Sequence, residues 1–371
     1  MTIALIHAAA VRPGRDAPGL VVPNESFAEL HAELCERLVQ DGHPAPAPMD
    51  PAFPLERAGV RRRGVLDGAW TVRDLAVEAG RRVLHDAGVD PERIVAVVTS
   101  TTAAEDPIPS LSASVHGALG LVPSAAAIDV ALGCTGFVGA TELAAARLAN
   151  HAPGALALVI GAEAMLRVVD AADRSTAVLF GDGAGAVLLE RLPGETPPIT
   201  SWTTLGRQWQ DIHIRPDPDV SRPVYRLVTD GVRARIEVDR RTRTCLTMRG
   251  RTVFRDVVRS VPAAIDAHLR RAGTAVDTVD LFALHQANAR MLTSIRDDER
   301  LCIAPERMPI TVGDDGNTSS ASIPIVLADA FASATLPAPG TVVLAGFGAG
   351  LAIAVTSLPV HPIRTTPAPR T

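Results

Sequence analysis

The chain has 371 residues, of which 47% are hydrophobic, and a formal net charge of −5. This slightly acidic balance predicts no nucleic-acid surface, and no run of about 18 or more uncharged apolar residues is present that could span a membrane. The sequence contains no lysine, which excludes catalysis through a lysine Schiff base.

Cysteine usage and the first ten residues predict the compartment. Residues 1–10 have neither a basic leader nor a long apolar core, so we expect no signal peptide and a cytoplasmic protein. Irregular spacing of the cysteines predicts free thiols rather than a disulfide framework or a zinc site, and no metal is expected. The four cysteines are Cys35, Cys134, Cys245 and Cys302.

Strand and helix patterns alternate along most of the chain, which favours one large α/β body. Residues 11–55 are rich in proline and acidic residues, and we interpret them as an extension, helical over 27–39. Residues 192–246 follow a proline-rich break, and we predict that they form a cap lining a substrate tunnel, because long ordered loops are usually functional. Residues 361–371 are predicted to be a flexible tail.

Cys134 lies where an apolar, strand-like run at 125–132 ends and a helical pattern begins. Phe137, Thr141, Ala144 and Leu148 recur at helical spacing after it. The thiol should therefore lie near the positive end of a helix dipole, which favours the thiolate. The alternative is a small buried hydrophobic side chain, which is what most free cysteines are.

His285 and Asn317 follow strand-like runs at 279–284 and 308–312. Polar side chains at the carboxyl ends of strands face the crevice where α/β sheets hold their ligands. Each has a structural alternative: His285 as a hydrogen-bonded residue at a strand end, and Asn317 as a helix N-cap. Neither alternative explains why Cys, His and Asn all occur at strand-to-helix junctions of one chain.

A weak internal repeat supports the same arrangement. Gly88 and Gly273 are 185 residues apart, as are Gly161 and Gly346, and the same offset carries Cys134 onto Ser319. Two copies of a βαβ-rich unit, spanning 1–191 and 247–360, would bring the Cys134 turn and the Asn317 turn to one centre.

The chain resembles the ketoacyl-ACP synthase III group of the thiolase superfamily over about 56–355. The resemblance depends on Glu-Arg-Ala-Gly-Val (56–60), Gly-Cys-Thr-Gly-Phe (133–137), Val-Ile-Gly-Ala-Glu (159–163), Phe-Gly-Asp-Gly-Ala-Gly-Ala (180–186), His-Gln-Ala-Asn (285–288), Gly-Asn-Thr-Ser (316–319) and Phe-Gly-Ala-Gly (347–350), which occur in the family's order. It implies a thiolase-like α/β fold with two pseudo-repeated halves in an α/β/α/β/α layering.

The resemblance also implies the catalytic roles. Cys134 would take the acyl group from a thioester, and the amides of Cys134 and Ala349 would form the oxyanion hole. His285 Nε2 and the Asn317 side chain would stabilise the enolate formed when a malonyl group loses CO₂. No cofactor is expected, since acyl-CoA or an acyl-phosphopantetheine carrier protein is the substrate.

Further residues are assigned by resemblance to substrate and partner binding. The family stacks the CoA adenine between an N-terminal Trp and an Arg; Arg167 would be that Arg, whereas 50–55 holds no Trp. Substrate contacts are expected from Arg57 and Phe347. Carrier-protein contacts are expected from Arg249, Arg255 and Arg290, and Arg251 adds a further positive charge to that patch. Ile108 corresponds to the residue that a partner subunit inserts into the acyl tunnel, which implies a homodimer.

Two activities remain open at this stage. One is decarboxylative Claisen condensation with a malonyl thioester, in polyketide or fatty-acid-like specialised biosynthesis. The other is acyl transfer from Cys134 to a hydroxyl or amine of a natural product, with His285 as general base. Intact Cys134, His285 and Asn317 argue against a catalytically silent binding protein.

Overall fold

The structure, a computed structural model, describes residues 2–194, 198–216, 223–239 and 242–362. The predicted tail therefore lies outside the described residues from position 363 onward. Within the described ranges, no helix combines the length and the apolar character needed to cross a bilayer.

The strands and helices alternate as the sequence predicts. The strands are β1 (Thr2–Val11), β2 (Gly19–Pro23), β3 (Arg62–Leu66), β4 (Ile94–Ser100), β5 (Ala126–Val130), β6 (Leu156–Ala164), β7 (Asp182–Leu192), β8 (Thr200–Thr204), β9 (Ile212–Pro216), β10 (Tyr225–Thr229), β11 (Ala234–Val238), β12 (Thr244–Met248), β13 (Leu281–Leu284), β14 (Gly340–Gly348) and β15 (Ala352–Val360). The helices are α1 (Asn24–Gln40), α2 (Ala52–Ala58), α3 (Val72–Asp86), α4 (Leu111–Leu119), α5 (Gly136–Leu148), α6 (Arg174–Ala177), α7 (Gly250–Ala272), α8 (Ala289–Arg296), α9 (Val312–Asp315) and α10 (Ser322–Ala332).

The main sheet repeats one strand arrangement. Its order is β13-β14-β15-β1-β7-β6-β4-β5, with β8 added beside β15. In the first half β4 is parallel to β6 and β6 antiparallel to β7; in the second, β13 is parallel to β14 and β14 antiparallel to β15. The halves meet where β1 pairs with β15. The predicted pair of pseudo-repeated halves is confirmed.

Helices cover both faces of each half, which is why the strands are apolar on both sides. Every residue of β6 is buried. Helices α5 and α10 share one apolar core that strands of both halves also line. Helices α3 and α4 pack in a second core on the outside of the first half, and α7 and α8 in another on the outside of the second. The predicted five-layer α/β/α/β/α body is confirmed.

In each half, one glycine leaves space for a backbone turn that the other half contributes. A Cβ at Gly161, on β6, would lie 2.5 Å from the carbonyl oxygen of Ser320. A Cβ at Gly346, on β14, would lie 2.9 Å from the Cα of Thr135 and 3.1 Å from the carbonyl oxygen of Cys134. The absence of side chains at these two positions lets both turns reach the centre of the molecule.

The segment 192–246 contributes β8 to the main sheet, and its other strands form small sheets. β9 pairs with β12 and β10 with β11, both antiparallel. In the extension, α1 buries Phe27, Leu34 and Leu38 in a core that it shares with Tyr225 and Ile236. The extension and the 192–246 segment therefore pack against each other.

Candidate active site

Cys134 lies in a 3₁₀ turn, Gly133–Thr135, directly before α5. The preceding strand ends at Val130, slightly earlier than the sequence indicates. Gly133 adopts a φ of +56°, a conformation that glycine accepts without a steric penalty. A Cβ at Gly348 would lie 3.2 Å from the Cys134 sulfur. The nucleophile position is therefore enclosed by the end of β14.

The Cys134 thiol is protonated at rest, contrary to the thiolate expected from the helix dipole. Burial raises its pKa to about 12; Ser319, whose Oγ lies 3.5 Å from the sulfur, acts in the opposite direction, and the nearby Glu163 carboxylate adds to the rise. The placement before a helix is correct, but desolvation outweighs the dipole. Acylation of this thiol therefore requires a proton acceptor.

His285 follows β13 and is fully buried. Its backbone N–H donates to the Ala345 carbonyl at 2.9 Å, and its Nδ1 lies 2.8 Å from the Ser322 hydroxyl. Its ring packs edge-on to Phe347, with 5.3 Å between centroids. Burial lowers the pKa of the imidazole to about 3, so the ring is neutral. Because Nδ1 is held by Ser322, Nε2 is the nitrogen left to act on substrate or on the thiol.

Asn317 follows α9 and is held by its backbone against the strand-like segment before β7. Its N–H donates to the Leu179 carbonyl at 2.8 Å, and its own carbonyl accepts from Gly181 N–H at 3.2 Å. The side-chain Oδ1 accepts from Ser319 N–H at 2.8 Å, and Nδ2 lies 3.5 Å from the Ala287 carbonyl. With Oδ1 occupied, the amide presents Nδ2 as a hydrogen-bond donor.

Cys134, His285 and Asn317 all line one cavity of about 660 Å³. Phe347 and Ala349, both singled out from the sequence, line it as well. A Cβ on Gly133 would lie 3.3 Å from the Ala349 Cβ, so the Ala349 backbone runs beside the Cys134 turn. The three side chains that the sequence places far apart thus converge at one site.

The basic residues predicted to bind substrate or carrier protein fall into two groups. Arg57, Arg251 and Arg290 line the cavity. Arg249 and Arg255 are exposed on or beside α7 and pair with Asp211 and Asp256, respectively. The structure therefore places the first group beside the cavity and the second on the outer surface.

Arg167, assigned to CoA binding by resemblance, is held by groups outside the cavity, and its role stays a prediction. It pairs with Glu105 at 2.6 Å and donates to the backbone carbonyls of Asp67 and Trp70, and it is not among the described residues lining the cavity. Arg174 instead lies over the Phe53 ring, 4.9 Å from its centroid. Arg174 and Phe53 therefore form a cation–aromatic pair, and neither is among the described residues that line the cavity.

Ile108 lies in the loop before α4 and is 86% exposed. Single exposed aliphatic side chains are common on protein surfaces, so this exposure leaves Ile108 available to a partner without indicating one. The partner itself stays a prediction.

Glu163 was not identified as a site residue from the sequence. It ends the Val-Ile-Gly-Ala-Glu motif on β6 and is fully buried. Its carboxylate accepts from Ser320 Oγ at 2.7 Å and from both the N–H and the hydroxyl of Thr102. Burial raises its pKa. The signal in the sequence that could have identified Glu163 is a charged residue inside an otherwise apolar strand.

Comparison with known proteins gives a consistent result. Residues 128–204 match the 3-oxoacyl-[acyl-carrier-protein (ACP)] synthase III family, and residues 269–359 match the family's C-terminal region. The β-ketoacyl-[acyl-carrier-protein] synthase III of Streptococcus suis (strain 05ZYH33) is 36% identical over 303 residues, covering 80% of this chain and 86% of the relative.

Two solved structures superpose on nearly the whole of this chain. The 3-oxoacyl-(acyl carrier protein) synthase III of Pseudomonas aeruginosa PAO1 superposes with a TM-score of 0.77 at 27% identity, over 99% of this chain and all of the other. The priming β-ketosynthase of the R1128 polyketide biosynthetic pathway superposes with a TM-score of 0.79 at 29% identity, over 98% of this chain and 97% of the other.

Proposed function

The chain belongs to the 3-oxoacyl-[acyl-carrier-protein] synthase III family of condensing enzymes, and we propose that it forms an acyl-enzyme on Cys134 and condenses it with a malonyl thioester. The observation that carries the proposal is the convergence of Cys134, His285 and Asn317 on one cavity. Relatives include a β-ketoacyl-[acyl-carrier-protein] synthase III and the priming β-ketosynthase of a polyketide biosynthetic pathway. We place this chain in biosynthesis of that kind.

The first half-reaction transfers the acyl group. The Cys134 sulfur attacks the thioester carbonyl, and its proton passes to His285 Nε2, which is free to accept it because Nδ1 is held by Ser322. The tetrahedral oxyanion is bound by the amides of Cys134 and Ala349. As the carbon–sulfur bond of the donor breaks, the proton moves to the leaving thiolate, and His285 is neutral again.

The second half-reaction forms the carbon–carbon bond. The malonyl carboxylate leaves as CO₂, and the electron pair of the broken bond forms a thioester enolate. Asn317 Nδ2 donates to the enolate oxygen, and His285 donates from Nε2 after its ring proton has shifted from Nδ1, which the acyl-transfer step leaves protonated. The enolate carbon attacks the acyl carbonyl, and the Cys134 thiolate leaves and takes up a proton.

The donor is the thioester of CoA or of a carrier protein, entering past Arg57, Arg251 and Arg290. The fixed positive charge of these side chains suits a phosphopantetheine phosphate. Arg174 and Phe53 would flank a CoA base, but their direct contact means that a base must part them. We propose that the chain acts as a homodimer through Ile108.

Intact-mass measurement after mixing with acyl-CoA and acyl-carrier donors tests the acyl-enzyme. We expect one acyl adduct, lost in Cys134→Ala and retained in Cys302→Ala, which removes an exposed thiol instead. Malonyl thioester added to the acyl-enzyme should release CO₂. No adduct from any donor would refute the assignment of Cys134, and an adduct without CO₂ release would refute condensation.

Acyl transfer to a hydroxyl or amine is a second candidate. The 192–246 segment lines part of the cavity and would contact an acceptor bound there, through Ile212, His213, Ile214 and Leu246. An acyl-enzyme that discharges onto an alcohol or amine, with no CO₂ released from malonyl thioester, would favour this reaction.

A further inference from the structure

The Asn317 turn is anchored by a partly buried arginine, Arg12, that no part of the proposed mechanism uses. Arg12 directly follows β1, a central strand of the main sheet. Its Nε donates to both carboxylate oxygens of Asp315, at 3.2 and 3.1 Å, and its Nη2 to both oxygens of Asp329, at 2.7 and 2.6 Å. The Arg12 and Asp315 side chains are 14% and 10% exposed.

The two carboxylates lie on either side of the active-site segment. Asp315 ends α9, two residues before Asn317, and Asp329 lies on α10, which begins after Ser319. One guanidinium thus ties both ends of the segment to the sheet. Each carboxylate shares one N–H donor between its two oxygens, and these charge-assisted hydrogen bonds hold both carboxylates at one guanidinium.

The segment between these carboxylates needs such support. Gly316 has a φ of +72°, and a Cβ there would lie 2.9 Å from the Gly181 nitrogen. Ser319 has a φ of +48°, a strained conformation for a residue with a side chain, which persists only where the surroundings enforce it. Ser319 also contacts the Cys134 sulfur and, through its N–H, orients the Asn317 amide.

The other arginines on this turn are less enclosed. Arg15 is 3.5 Å from Asp315, with its side chain 34% exposed. Arg61 and Arg62 pair with Asp314, and their side chains are 60% and 47% exposed. Exposed pairs of this kind contribute little. Arg12 is therefore the main ionic anchor of the turn among the described residues.

We propose that Arg12 is a positioning residue that, through Asp315 and Asp329, holds Asn317 in the geometry needed to stabilise the enolate. The proposal rests on the function proposed above. Acylation of Cys134 does not use the Asn317 amide, so loss of Arg12 should slow condensation far more than acylation. Displacements of about 1 Å in a positioned group can cost roughly 10² in rate.

Arg12→Met, Arg12→Lys and Arg62→Met separate this role from general stabilisation. The rates to measure are Cys134 acylation by intact mass and single-turnover CO₂ release from malonyl thioester by the pre-acylated enzyme. We expect Arg12→Met to slow CO₂ release roughly 10- to 100-fold and acylation less than about 3-fold. Arg12→Lys keeps the positive charge but not the planar guanidinium, so its rate of CO₂ release should lie between those of the wild type and Arg12→Met. Arg62→Met, which acts on the same turn, should change neither.

Hydrogen exchange of the 312–321 peptide supplies a readout that is independent of chemistry. Exchange there should accelerate in Arg12→Met while β6 and β7 keep their protection. Asp329→Asn, which removes one half-exposed partner, should give the same pattern more weakly if Arg12→Met does not fold. Unchanged CO₂ release in Arg12→Met, equal losses in both half-reactions, or an equal effect of Arg62→Met would overturn the proposal.

A wild-type chain that is acylated but releases no CO₂ would refute condensation alone. The exchange experiment would then decide the role of Arg12: faster exchange confined to 312–321 supports positioning, and unchanged exchange in that peptide overturns it.

Discussion

Adding a single methyl group at Gly346 or at Gly161 should displace the active-site turn that packs on that glycine. The new Cβ of Gly346→Ala would lie 2.9 Å from the Thr135 Cα, and that of Gly161→Ala 2.5 Å from the Ser320 carbonyl oxygen. Carbon atoms pack favourably at roughly 3.5–4.0 Å, so the turn must move by about 0.5 Å or more. The neighbouring atoms are backbone, which cannot rotate away.

The cost can be estimated from overpacking in other cores, which is about 1–3 kcal/mol. Urea unfolding of Gly346→Ala and Gly161→Ala should show that loss in the free energy of unfolding. Acylation should slow mainly in Gly346→Ala, since its methyl group displaces the Cys134 turn. CO₂ release should slow mainly in Gly161→Ala, which displaces the turn following Asn317.

Gly117→Ala is the matched control, because Gly117 lies within α4 and its Cβ would meet nothing within 4 Å. It should leave both rates unchanged and stabilise the chain by up to about 1 kcal/mol. If Gly346→Ala and Gly161→Ala unfold at the wild-type urea concentration and keep the wild-type rates of acylation and CO₂ release, the turns do not pack on these glycines as described.

Three further predictions concern charge and assembly. Glu163→Gln removes a negative charge that raises the Cys134 pKa, so iodoacetamide at pH 8 should alkylate Cys134 faster than in the wild type; slower alkylation would contradict this. His268 is buried between Ser201 and Ser357, and burial lowers its pKa to about 4. Its unfolded form binds a proton below about pH 6.5, so the wild type should lose stability between about pH 6.5 and 4 more steeply than His268→Gln in urea titrations, and parallel curves would count against it. Ile108→Asp should shift the chain from dimer toward monomer in sedimentation velocity, and an unchanged species would argue against that contact.

Local patterns in the sequence were sufficient for the elements around Cys134 and His285, whereas the strand expected at 308–312 is wrong: Asn317 follows the short helix α9 instead. The apolar run before Cys134, the helical spacing after it and the polar cluster at His285 each reflect residues close in the chain. The 185-residue offset also anticipated a real contact, since the Cys134 sulfur and the Ser319 hydroxyl are 3.5 Å apart. Periodicity and spacing carry this information because secondary structure is local.

Features that depend on distant pairing were missed. Arg12 and Asp315 are 303 residues apart, and nothing near either one indicates the other. The thiol pKa was predicted in the wrong direction because helix placement can be read from the sequence, whereas desolvation depends on the whole enclosure. The contact between Arg174 and Phe53 joins residues more than 100 positions apart, and no pattern near either residue indicates it.

The site is assembled from residues of both halves, and this has a consequence while the chain is being synthesised. Cys134 is translated early, whereas Gly348, Ser319 and the His285 imidazole that enclose it emerge from the ribosome last. Until then the sulfur lacks the walls that keep it protonated and would be open to cellular electrophiles. Protection of this one thiol would therefore report, on a nascent polypeptide, the moment when the second half docks.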